Sequence, residues 1–289
     1  MEKGVLGRLS TVTLSPLAEL GGVPLAVGLG AGGQWLALQA EALDLDGDGV
    51  TYGTVTRQDG HTIRVVLPEI EPDLIQPTPD GGVMIMAARQ QDPRAANAWR
   101  HDPDGSLLAA ISLGPQLRDA QVAHDGTVWC AHGGGAALVR GVDLEGWPRF
   151  EHALRHGDDD QVADVDALNL THDQVWVCTY PGGTLFQAGR AAVTAHGVLP
   201  EGTRALAVSG GRVAAWGAHH QRSRVELLAL NAHHGVEQVG TVELRDRHGQ
   251  PLEPVHGVGR GDDLLLRRGT ELYRVTLRML WRSDGARLS

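Results

Sequence analysis

Lysine is almost missing from this chain: Lys3 is the only one in 289 residues, and arginine supplies the other side-chain positive charges. With 25 Lys+Arg against 35 Asp+Glu, the formal net charge is -10. Nucleic-acid binding needs a basic stripe to meet the phosphates, so this balance argues against a nucleic-acid partner. Cysteine is scarce too. Cys130 and Cys178 are the only two, and neither lies in a CxxC motif, which excludes a disulfide framework and a zinc knuckle. Two buried, free thiols are the expectation. No apolar run is long enough to span a bilayer: Leu20 to Gly30 is apolar but short and glycine-rich. The first residues lack a charged segment followed by a dense apolar core, so neither a signal peptide nor a membrane partner is expected, and the chain reads as cytoplasmic. Also missing are a long helical stripe, a nucleophile elbow and a phosphate loop.

Glycine is abundant, with 39 residues alongside 14 prolines, and 42% of the chain is hydrophobic. That composition reads as many short strands with tight turns around a sizeable core. One pattern recurs six times: an alternating small or apolar run, a Gly/Asp turn, then an apolar strand that often carries Trp. The copies are Leu25–Leu38, Asp73–Met86, Asp119–Ala131, Asp166–Cys178, Arg204–Trp216 and Val255–Leu266. The first strand residue after each turn is Trp35, Val83, Val128, Val175, Val213 and Leu264, at spacings of 48, 45, 47, 38 and 51. Four-stranded propeller blades repeat at roughly 40–50 residues. A second hairpin signal follows the copies, as in Thr56–Val66 and Trp99–Ile111, which completes four strands per repeat.

The expected architecture is therefore all-β: one six-bladed β-propeller domain over 1–289, with antiparallel four-stranded blades near 23–67, 73–113, 119–154, 164–197, 203–244 and 254–280. Residues 9–18 would supply the outer strand of the sixth blade and close the ring. A hairpin beginning at Trp281 is the competing source of that strand. The repeat resembles the broad six-bladed propeller superfamily that contains the NHL and gluconolactonase-like proteins. It lacks the Gly-His and Trp-Asp signature of WD40 blades.

In a propeller the first residue of each innermost strand sits at one mouth of the central channel. Those positions carry Asp73, Asp119 and Asp166 on consecutive blades, Arg204 on the next, and His256 beside Val255 on the last. The second strands end at the same rim near Arg89, His132, Tyr180, His219 and Arg268. These residues form the expected ligand site. Converging carboxylates repel one another and call for a cation, a bound basic group or a raised pKa. Ca²⁺ or Mg²⁺ suits the set Asp73, Asp119 and Asp166. A structural reading stands beside this one: aspartates at strand starts bind backbone amides of the next blade, and Arg204 neutralises Asp166. The resemblance to gluconolactonase-like enzymes implies acidic and Asn ligands around a channel metal. Asn169 is the nearest such Asn, three residues inside its strand.

Weaker features read as surface. Asp44-Leu-Asp46-Gly-Asp48 opens like a calcium loop, but Val55 occupies the twelfth position, where glutamate belongs. Asp158–Asp160 is a short solvated acidic run. His219-His220 and His233-His234 are adjacent pairs whose side chains would diverge on a strand. Trp35, Trp129, Trp176 and Trp216 read as packing between blades. No catalytic constellation is complete. The first functional expectation is thus a non-catalytic scaffold binding a protein or small ligand at the channel mouth. The alternative is a metal-assisted hydrolase or lyase acting on a lactone, ester or sugar.

Overall fold

The computed structural model describes residues 9–41, 51–88, 90, 92–135, 137–156, 160–161, 164–172, 174–218 and 221–283. The calcium-like loop at 44–48, most of the acidic run at 158–160, Arg89 and the pair His219-His220 lie outside the described residues.

Six antiparallel four-stranded sheets stand in a ring. Their innermost strands are Ala26–Leu29, Leu74–Pro77, Leu117–Val122, Asp164–Leu170, Ala205–Ser209 and His256–Arg260. In blades one to five each is followed by the other three strands of its blade, a meander of local hairpins, whereas in blade six only two strands follow. Tight turns with left-handed glycines, such as Gly126 (φ 79°) and Gly261 (φ 54°), join the first two strands. An L side chain at such a φ would be strained.

The core lies between the blades. Six hydrophobic clusters among the described residues each draw on two neighbouring blades. Alternation along a strand produces this arrangement, because successive side chains point to opposite faces. In Val128–His132, Val128 and Cys130 pack toward blade two, whereas Trp129 and Ala131 pack toward blade four. The second strands are therefore apolar on both faces, which explains their unbroken hydrophobic runs. Trp35, Trp129, Trp176 and Trp216 all sit in these seams. Cys130 and Cys178 are free and buried within them. Burial pushes the Cys130 thiol up to about 12 and the Cys178 thiol up as well.

The ring closes through the N-terminal segment, but differently from the expected single strand over 9–18. Ala18–Glu19 pairs antiparallel with Glu271–Thr276 and is the short outer strand of blade six. Leu9–Thr13 instead adds in parallel to Val236–Arg245, as a fifth strand on blade five. Hydrophobic burial accounts for the split. Val12 and Leu14 enter the seam between blades five and six, beside Val242, Leu244 and Leu252, while Leu20 enters the seam between blades six and one. The competing segment that begins at Trp281 is helical as far as Ser283, and the rest of it lies outside the described residues. Leu277–Ser283 is a helix whose Leu277, Leu280 and Trp281 are buried on one face. Spacings of three and four residues place these side chains together on a helix.

Candidate functional site

The inner strands of blades two to five start at one mouth of the ring axis, as the repeat alignment expects. There Asp73, Asp119, Asp166, Arg204 and His256 line one cavity of about 530 Å³, together with Arg118, Asp164, Arg267 and Trp216. The cavity has a charge axis. Asp73, Asp119, Asp164 and Asp166 come from blades two to four, whereas Arg204, His256 and Arg267 come from blades five and six.

Asp119 is the deepest of the acids. Its remaining surface opens into the channel, and backbone N–H groups of Ala120 and Leu168 reach its carboxylate. Burial, reinforced by Asp73, nevertheless pushes its pKa from 3.8 up to about 7. Asp73 accepts a hydrogen bond from the Ala88 amide at 2.7 Å. Asp166 is exposed in the cavity wall, and burial together with Asp164 raises its pKa, while Arg204 opposes the rise. No ion pair among the described residues joins Arg204 to Asp166, so the expected neutralisation acts only at longer range. His256 is pushed down to about 4 by burial and by Arg267 opposite it on the neighbouring strand. Its Nε2 is buried with no hydrogen-bond partner.

Arg118, Asp164 and Arg267 also line the mouth, at positions the repeat alignment does not single out. Arg118 holds Asp164 in a two-pronged pair, Nε to Oδ1 at 2.6 Å and Nη2 to Oδ2 at 2.6 Å. Simple alternation would send Arg118 away from Asp119. A register shift between Leu117 and Asp119, and another between Val165 and Ala167, re-aim the strand starts so that adjacent residues reach the same cavity. Arg267 is the cross-strand partner of His256, a pairing that hairpin register could have exposed.

Other expected rim residues fall elsewhere. His132 is buried, with Nδ1 2.9 Å from the Pro115 carbonyl, and does not line the cavity. Tyr180 is exposed at the end of its strand and also lies outside the lining. Arg268 pairs with Asp246 and Glu271 instead. Asp73, Asp119 and Asp166 share the cavity, yet among the described residues no three His, Cys, Asp or Glu side chains converge closely enough to hold a metal ion. Asn169 directs its amide to the Leu206 and Gly261 carbonyls at 2.6 and 3.1 Å, sealing the channel rather than lining the mouth.

The Asp119 shift has a stability consequence. Its folded-state pKa lies above its unfolded value, so the fold binds this proton more tightly. The associated stability is complete below pH 3.8 and is lost as pH rises toward about 7. Asp119→Asn should remove that slope. Between pH 5 and pH 8 the wild type should lose on the order of 2 kcal/mol more than the variant, since channel solvent screens part of the effect. Urea midpoints at the two pH values measure it, and parallel losses would refute the assignment.

Six antiparallel blades around an axis, with a charged cavity at one mouth, define this chain as a six-bladed β-propeller. A solved structure shares that fold. A catalytically inactive virginiamycin B lyase from Staphylococcus aureus, determined with quinupristin, aligns with a TM-score of 0.54 at 12% identity, over 90% of this chain and 98% of that one. A nidogen/laminin complex aligns with a TM-score of 0.47 at 12% identity, over 73% and 80%. No family model and no curated protein matches the sequence. Among the described residues, no helix is long and apolar enough to cross a membrane.

Proposed function

We propose that this propeller is a non-catalytic binding protein whose channel mouth takes a small ligand carrying both a cationic and an anionic group. The charge axis of the mouth carries this reading. Asp119 and Asp166 face inward on one side, and Arg204 and Arg267 on the other, with no ion pair among the described residues joining the two sides. A volume of about 530 Å³ lies within the range of small-molecule sites. Partly desolvated carboxylates and guanidinium groups favour a ligand that restores their lost hydration.

Calorimetric titration with a panel of amino acids and dipeptides at low salt tests it. A zwitterion should bind better than either its amidated or its deaminated analogue. Asp166→Asn and Arg267→Met should each weaken binding roughly tenfold, the scale of one charge-assisted hydrogen bond. Affinity for the cationic end should rise with pH through about 7, as Asp119 ionises. Indifference of every variant to the whole panel would refute the reading.

A second reading keeps the same cavity but makes it catalytic. A carboxyl group with a pKa near 7 is poised for proton transfer, which supports Asp119 as an acid or base in a hydrolase or lyase. The metal-assisted form of that reading lacks a converging three-donor set among the described residues. Turnover of a bound ester or lactone that is abolished in Asp119→Asn, with binding retained, would favour it.

A further inference from the structure

The opposite mouth of the axis holds a second cavity, of about 670 Å³, lined where the inner strands end. Arg260 forms its base. This residue is only 6% exposed, and it reaches across the ring from blade six to blade three. There Nη2 donates to the Val122 carbonyl at 2.8 Å and Nη1 to Gln121 Oε1 at 3.4 Å. Both acceptors are neutral. No carboxylate among the described residues forms an ion pair with Arg260, and burial alone depresses its pKa to about 10. A guanidinium carries five N–H donors in a planar fork that matches an oxyanion. Buried charges are ordinarily paired, and one left without a counter-charge beside an open cavity marks the place of a missing anion.

The rest of the lining suits that occupant. Asp263 is already held by Arg274 in a two-pronged pair at 2.8 Å for both bonds, and Asp262 lies in the field of the same arginine. His124 and His172 stand exposed at the rim, and Trp176, Leu170 and Val208 give the cavity an apolar wall. Next to Arg260, Gly261 leaves open space where a side chain would stand.

We propose that Arg260 anchors the oxyanion of a second ligand, a carboxylate or phosphate group borne on a partly apolar body, at the mouth opposite the zwitterion site. The full-length protein tests this with inorganic phosphate and acetate as probes, against chloride at equal ionic strength. Phosphate or acetate should raise the thermal midpoint and bind measurably by calorimetry, and the tighter of the two assigns the anion's class. Arg260→Gln should weaken binding roughly tenfold or more. Because that variant could lose the cross-ring strut and fail to fold, Ser209→Glu provides an independent arm. Ser209 is exposed on the cavity wall, so its replacement supplies a competing carboxylate without removing any bond of Arg260. It should abolish the response to both anions. All arms are run in the Arg267→Met background, which removes an anion partner of the other mouth, so that the response read comes from the Arg260 site. An Arg267→Met protein no more responsive to either anion than to chloride overturns the proposal, and so does a response that survives in Ser209→Glu.

Discussion

Gly259→Ala is expected to cost about 3 kcal/mol or more, a severe case of overpacking against backbone. A methyl group at this position would overlap the Leu206 carbonyl oxygen and crowd the Leu206 backbone nitrogen at 3.0 Å. Backbone cannot swing aside as a flexible side chain can. The innermost strand of blade six would therefore have to move off blade five. Several bonds that seal the channel depend on that approach. Gln121 Nε2 donates to the Gly259 carbonyl at 2.8 Å, Val208 N to the Gly261 carbonyl at 2.7 Å, and Gly261 N to the Leu170 carbonyl at 3.1 Å. Arg260 is the next residue along. Denaturation by urea should show a large drop in midpoint, and the anion response at the second mouth should disappear with it. A variant within about 1 kcal/mol of wild type (the average cost of a point substitution) would mean that the blades tolerate separation and that the seal contributes little.

Trp216→Ala should destabilise the protein by about 3–5 kcal/mol, a large part of a typical domain's total stability. Trp216 is fully buried in the seam between blades five and six, and its indole N–H donates to the Arg222 carbonyl at 2.7 Å. Gly257 faces it, and a side chain there would come within 2.7 Å of the ring. Truncation would leave a cavity the size of an indole and an orphaned carbonyl. Trp216→Phe retains most of the apolar contact and should cost clearly less. Equal losses for the two variants would argue against a cavity effect. Trp216 also lines the first mouth, so binding there is best assayed in the phenylalanine variant.

The sequence exposes the ring through its period. Six turn-and-strand copies at spacings of 38 to 51 residues mark six blades, and the aspartates that open copies two to four line one cavity. What it hides has local causes. Strand-start irregularities bring Arg118 beside Asp119, which a strict two-residue alternation assigns to opposite faces. The terminal helix was hidden by its length, since Leu277, Leu280 and Trp281 give only one and a half turns of pattern. The division of residues 9–18 between two blades depends on which seams receive Val12, Leu14 and Leu20, a tertiary choice with no local signal. The position of His132 at a strand end suggests the rim, yet its ring is buried against the Pro115 carbonyl. Arg260 carries no local signal of its burial. An arginine at a strand end looks like surface, and only the convergence of distant strands buries it.

The pairing of Ala18 with Leu272 has a kinetic corollary. Each meander can zip up from neighbouring residues, but the clasp that makes the array circular joins positions about 250 residues apart, and such long-range contacts form late because so much loop entropy must be lost first. Assembly should thus pass through an open crescent whose terminal sheets expose their unmet apolar faces. Until the clasp shuts, those two faces are the places where one molecule could pair with another instead of with itself.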